Sequence, residues 1–406
     1  MKKFVKEQPT PFYLYDEKRI KASVQRLQEA FDRCARPTLY VPVRMNPNAA
    51  ILRILLQSGC GVSCASRMEL MLCARVGFSG ERILYAPMTA DSEADELCRS
   101  LGVIRVIDSE GTIPVCLPQR VLLRLRATCT QSRSASFGSQ KFGLSEQRLL
   151  EVAAHLHQYS DCTIGLCADG AAMENDPLYY QKTAQRLFAL AARAKNDLGL
   201  CFDAVHLGGG LPFDYRHTDD GFAPCGIAEA LRDAKDSILS PAGLEGIRLS
   251  LEPGRYLLAG SAVFVTRVCA VKEGELPMLV TDGSMAHFGR LAQFGNYHLI
   301  SVLGKHDVQG RTLYSISGSL SDSRDHFARS RLLPPVKPGD CIIIHDVGAD
   351  GAAMQNGYGG ALRCAQYLHA ANGVLRLIAP PQSPEQWLHE CGLELLQASN
   401  KSGRGF

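Results

Sequence analysis

The sequence predicts an α/β protein in which a parallel (β/α)8 barrel is joined to a mainly antiparallel β domain. Three observations predict it. Between about Thr38 and Leu251, short apolar runs alternate with amphipathic stretches at helical spacing. Repeated strand–helix units make a parallel sheet covered on both faces, and this many of them close into a barrel. Near Gly260 the helical patterning stops, and β-rich runs separated by Gly, Pro and Asp turns take over. The chain of 406 residues is also long enough for a large barrel and a second unit.

Thr38–Val43 reads as the first buried strand, and Ala49–Ser58 follows with helical spacing. Arg82–Tyr85, Val103–Ile107, Val121–Leu125, Thr163–Leu166 and Ala204–Leu207 are further strands, with helical patterns such as Tyr179–Asn196 and Gly226–Ile238 among them. Beyond Gly260, Ala262–Val271, Leu276–Thr281, Leu313–Ile316 and Cys341–His345 read as strands. The early run Pro11–Tyr15 alternates like a strand and is expected to join the β domain. The expected division is residues 1–35 as N-terminal strand and lead-in, 36–260 as barrel, 261–380 as β domain and 381–406 as an extension with a frayed tail.

Hydrophobic residues make up 46% and charged residues 21%, a globular balance that argues against disorder. A net charge of +3 without a long Lys/Arg run argues against nucleic-acid and membrane-surface roles. The fifteen cysteines are scattered, and no signal-peptide or membrane-length apolar run is present. A cytoplasmic protein with reduced thiols is expected. Cys60 and Cys64 lack a second Cys or His pair at zinc spacing, so they read as buried small hydrophobes and no metal site is expected.

Four polar or glycine-rich segments stand out. His206-Leu207-Gly208-Gly209-Gly210 ends a strand; its glycines let backbone N–H groups approach an anion, or simply make a tight turn. Leu251-Glu252-Pro253-Gly254-Arg255-Tyr256 follows the last barrel strand, where Glu252 and Arg255 serve a ligand or form an internal ion pair. In Gly318–Asp325, Asp322 and Asp325 solvate the loop, reach a substrate amine or, by default, cap a helix at His326–Arg329. Gly348–Met354 and then Tyr358 form another glycine-rich turn.

In this order and at these separations the four segments resemble the fold-type III pyridoxal-phosphate (PLP) decarboxylases acting on ornithine and diaminopimelate. The resemblance runs from Thr10 to about Leu368 and is supported by Cys64-Ala65-Ser66 with Glu69, by Lys141-Phe142-Gly143 and by Asp176-Pro177. It implies an alanine-racemase-like barrel and a dimer. In that family a strand reading Ala-Val-Lys-Ala-Asn carries the lysine that holds PLP as a Schiff base. Here the run is Pro42-Val43-Arg44-Met45-Asn46, and a guanidinium offers no free amine lone pair to attack an aldehyde.

Other positions depart as well. Ser63 replaces an acid, Asp169 stands at the ring-stacking histidine, Ala172 at a phosphate-binding serine, Ser321 at the turnover cysteine, and Asp350 at a tyrosine. Retained are Gly208, Gly209 and Gly210 for phosphate, Glu252 for the ring nitrogen, Arg255 and Tyr358 for phosphate, and Asp322 for a substrate amine. Arg290 falls where a substrate carboxylate is bound. The resemblance thus implies three readings. One is a lysine-less protein that holds an amino-acid-like or phosphate-bearing ligand, with PLP held non-covalently or not at all. The second is a decarboxylase working without the lysine, and the third a non-catalytic member paired with an active paralogue, so that the dimer is homomeric or heteromeric.

Overall fold

The computed structural model describes residues 2–32, 36–126, 141–159, 161–168, 177–218 and 224–394. The chain forms two compact units, Met1–Glu17 with Ser261–Phe406, and Lys18–Gly260. The first division therefore falls at Glu17, not near residue 35. The helix Glu17–Phe31 buries Ile20, Val24, Leu27 and Phe31, a stripe at i, i+4, i+7 and i+11 that faces one side.

Strand β1 (Phe12–Asp16) belongs to the first unit. The second unit is a closed parallel barrel of β2 (Thr38–Pro42), β3 (Gly61–Cys64), β4 (Ile83–Tyr85), β5 (Ile104–Ile107), β6 (Arg120–Leu125), β7 (Thr163–Ala168), β8 (Ala204–His206) and β9 (Arg248–Leu251). Strand β3 has too little apolar alternation to read from sequence. Its Gly61 is required by packing, because a Cβ there would stand 2.6 Å from the Tyr40 ring that fills the barrel beside it. Tyr40, Leu84, Ile104, Val106, Leu122 and Cys167 form the apolar centre of the barrel. Cys60 and Cys64 are buried, and the Cys64 Sγ lies 3.7 Å from that of Cys73.

The other unit is built on a nine-stranded mixed, mostly antiparallel sheet. Besides β1 it contains β10 (Ala262–Lys272), β11 (Met278–Thr281), β12 (Ile300–Val302), β13 (Thr312–Ser317), β14 (His326–Leu333), β15 (Cys341–His345), β16 (Ala365–His369) and β17 (Leu375–Ala379). As expected, β1 joins this sheet, antiparallel to β10 and parallel to β16. The helix expected at His326–Arg329 is instead strand β14, paired antiparallel with β13. The Asp325 carboxylate caps nothing there: it is buried and accepts backbone N–H bonds from Met285 and Leu320, which ties the loop to a distant turn. Among the described residues no helix is long and apolar enough to cross a membrane.

The core of this unit has a built-in acid sensitivity. His298 is fully buried, its Nδ1 donates to the His345 carbonyl at 2.8 Å, and its ring meets Phe288 edge-on. Burial, helped by the charges of Arg290 and Arg331, pushes the imidazole down to about 4. The native state therefore holds it neutral, whereas the unfolded chain protonates it near 6.5. Its stabilising contribution is complete above the unfolded value and is lost as pH falls towards 4, by about 1.4 kcal/mol per pH unit. Urea midpoints measured from pH 7 to pH 4.5 are expected to fall, and to fall less steeply in His298→Gln. Parallel slopes for the two proteins would refute this.

Candidate functional site

Side chains alternate along each barrel strand, so the residues next in step with the apolar centre also face inward, towards the carboxyl ends of the strands. There the lining turns polar: Ser63, Asp108, Arg124, His206, Ser250 and Glu252. The β8–β9 register sets His206 opposite Ser250, and Glu252 follows two residues later on the same face.

These groups form one hydrogen-bonded chain. The Ser250 Oγ lies 2.9 Å from His206 Nδ1, and His206 Nε2 lies 3.3 Å from Glu252 Oε1. An ionised carboxylate only accepts, so Nε2–H donates to Glu252, and in that tautomer Nδ1 accepts a hydrogen bond from the Ser250 hydroxyl. Burial alone would raise the Glu252 carboxyl, but bonds from His206 and Ser63 and the charge of Arg124 outweigh it and hold it below the usual carboxylate range. Arg124 is itself paired with Asp108 at 2.8 Å, both side chains being nearly buried. Asp108 also accepts the Gly143 N–H at 3.2 Å, and the Arg124 guanidinium lies over the Phe142 ring. That packing explains the Lys141-Phe142-Gly143 run, whose Gly143 has φ +87° and no room for a Cβ against the Arg126 backbone nitrogen, 2.7 Å away.

Gly208 and Gly209, one residue beyond β8, both have positive φ, 54° and 57°. Successive N–H groups in that conformation make an anion-binding concavity, and a Cβ on Gly210 would meet nothing within 4 Å. Arg255 is half-buried in the helix Gly254–Leu258. Gly254 itself packs under the turn after β2, where a Cβ would overlap Met45 Sδ and lie 2.9 Å from Pro42 Cδ.

Arg44 lies in the 3-10 turn Val43–Met45 that follows β2 and is exposed. The neighbouring carboxylate is Glu69. Ser66 caps the helix Arg67–Val76 through the Glu69 N–H, and Glu69 reaches back to the Ala65 N–H at 2.6 Å. Burial raises the Glu69 carboxyl above the usual range, against the pull of that bond and of the Arg44 charge.

The remaining candidates lie in the β unit. After β13, the Asp322 carboxylate accepts from the Arg324 N–H at 2.9 Å, from Arg324 Nε and Nη2 at 3.1 and 2.8 Å, and from the Tyr358 hydroxyl at 2.8 Å. These bonds hold it far below the usual carboxylate range. Ser321 is exposed beside it. Arg290 and Asp350 are both buried and pair at 2.8 Å. Asp169 and Ala172 lie outside the described residues. The structure thus unites Asp322 with Tyr358, joins Arg290 to Asp350, and gathers Glu252 with Ser63. Sequence reading missed Arg324, the His206 bridge and the Arg124–Asp108 pair, whose partners meet only through turn geometry or strand register.

The family model for the pyridoxal binding domain of pyridoxal-dependent decarboxylases matches residues 17–259. The chain belongs to the pyridoxal-dependent decarboxylase family. Among curated relatives, Protein TabA of Pseudomonas amygdali pv. tabaci is 29% identical over 375 residues, covering 90% of this chain and 87% of the relative. The diaminopimelate decarboxylase of Methanothermobacter thermautotrophicus is 27% identical over 381 residues, covering 89% and 87%. The fold is shared with the diaminopimelate decarboxylase of M. jannaschii solved with L-lysine, at a TM-score of 0.86 and 23% identity over 96% of this chain and 93% of the other. It is shared also with the lysine/ornithine decarboxylase of Vibrio vulnificus solved with putrescine, at a TM-score of 0.75 and 20% identity, covering 91% and 96%.

A pyridoxal-dependent decarboxylase needs a phosphate cradle, a carboxylate for the ring nitrogen and an amine for covalent attachment. The left-handed glycines fit the first and the ionised Glu252 fits the second. In the turn that follows β2 stands the guanidinium of Arg44.

Proposed function

We propose that this chain is a lysine-less member of the family that holds a small amino-acid-like or phosphate-bearing ligand, PLP included, without a covalent link. The observation that supports it best is Arg44, an exposed guanidinium in the turn after β2 and within electrostatic reach of Glu69. A guanidinium stays charged throughout the accessible pH range, so it can hold a phosphate or carboxylate by two parallel hydrogen bonds but cannot condense with an aldehyde.

In this reading Gly208, Gly209, Gly210 and Arg255 take the phosphate. Glu252, kept ionised by His206 and Ser63, accepts from a protonated ring nitrogen. Bound there, PLP would supply an electron sink for charge developing at an amino acid's α-carbon. The chain's own part is to bind and orient: Arg124 is neutralised by Asp108 and adds field without adding net charge. Ser321 and Arg44 give no thiol or amine to move protons, so any remaining turnover is slow by the missing acid and base, each worth ~10²–10⁴-fold. A decarboxylase working without the lysine is the second reading, and it is favoured by one observation, the hydrogen-bonded chain that still maintains Glu252. Arg44 also fits a role as partner of an active paralogue, in a homomeric or heteromeric dimer.

Absorbance of the purified protein with added PLP, followed by borohydride reduction and peptide mapping, tests the proposal. The expected result is the spectrum of free PLP and no pyridoxyl-labelled peptide. A label on any lysine, for example Lys141 beside the Phe142 ring, would overturn it.

A further inference from the structure

The β unit carries a pocket of about 280 Å³ with an unusual polar wall. Arg324, Tyr358, Asn356 and Gln293 supply that wall, and Met285 and Ala286 supply apolar contact. Arg324 is the one charged side chain lining it among the described residues. Asn356 uses its amide oxygen on the Tyr358 N–H, which leaves the NH2 as its donor side.

The neighbouring Asp322 offsets the charge of Arg324 but does not use up its donors. A carboxylate has about four acceptor sites, and Asp322 already receives three bonds from Arg324 and one from Tyr358. An ammonium ligand would have to displace the guanidinium. An incoming carboxylate meets a guanidinium whose five donors exceed what Asp322 accepts, in a side chain 75% exposed.

We infer that Arg324 is a specificity-determining residue: it makes this pocket select a ligand whose distal group is a carboxylate, not an amine. The inference rests on the proposed binding of an amino-acid-like ligand and names its class.

Isothermal titration of the full-length protein with glutarate, 1,5-diaminopentane and inorganic phosphate tests it. The wild type is expected to bind glutarate at least about tenfold more tightly than the diamine. Arg324→Ala is expected to reverse that order by releasing Asp322, and Asp322→Asn added to it is expected to abolish the gained diamine binding. Thermal unfolding of Arg324→Ala should match the wild type, because the side chain is exposed. A wild-type preference for the diamine, an unchanged order in Arg324→Ala, or no binding of any of the three would overturn the inference. Loss of phosphate but not glutarate binding in Arg324→Ala would also overturn it, since the pocket would then be a phosphate site. Covalent PLP on a lysine would defeat the proposed function while leaving this ranking intact, so the two fail separately.

Discussion

Arg44→Lys is expected to turn a protein that borohydride leaves unlabelled into one that carries about one pyridoxyl group per chain, mapped to residue 44. The substitution places a primary amine in the turn after β2, while Glu252, His206 and the Gly208–Gly210 loop are untouched. An amine must be neutral to attack an aldehyde, and a free lysine titrates near 10.4. The nearby Glu69 carboxylate favours the charged form, so labelling should be weak at neutral pH and rise in alkaline buffer. Adding Glu69→Gln removes that charge and should move the rise to lower pH. Failure to label Arg44→Lys at any pH, with the fold intact by circular dichroism, would show that the pocket is closed to PLP for a reason other than the missing amine. Asp169 and Ala172 would be the next positions to restore.

The barrel was legible because its strands are short apolar runs between amphipathic helices, a pattern that burial on both faces imposes. Strand β3 was not, since Gly61 and Ser63 leave it only two apolar side chains and its Gly is dictated by Tyr40 across the barrel. The His326–Arg329 segment looks like a capped helix in the sequence because an acid stands directly before a short mixed run, whereas pairing with β13 overrides that local preference. Arg44 was visible because Asn46 holds the register of the surrounding motif. The state of Glu252 was not, since it depends on His206 from one strand and Ser63 from another. Arg324 was hidden for a different reason: only the turn after β13 brings it back on Asp322.

Those hidden pairings change what Arg290 is for. Sequence position alone offers it as a carboxylate binder, yet the structure shows its guanidinium Nη1 on Asp350 at 2.8 Å, with the two side chains only 2% and 9% exposed. Asp350 stands where the resemblance expects tyrosine and holds φ at +57°, a conformation that aspartate tolerates better than most residues. An acid in a core needs a counter-charge, and Arg290 supplies it. Removing one partner of a buried pair takes the counter-charge away from the other, at a cost of about 3–5 kcal/mol. Arg290→Met is therefore expected to lose about that much stability in urea unfolding. Arg290→Met combined with Asp350→Asn is expected to recover most of the loss, since neither charge then remains and asparagine keeps the left-handed backbone. If Arg290→Met unfolds at the wild-type midpoint, the pair is not what holds this core. If the double substitution is as unstable as the single one, the cost comes from Arg290's packing and other contacts, not from the lost counter-charge of Asp350.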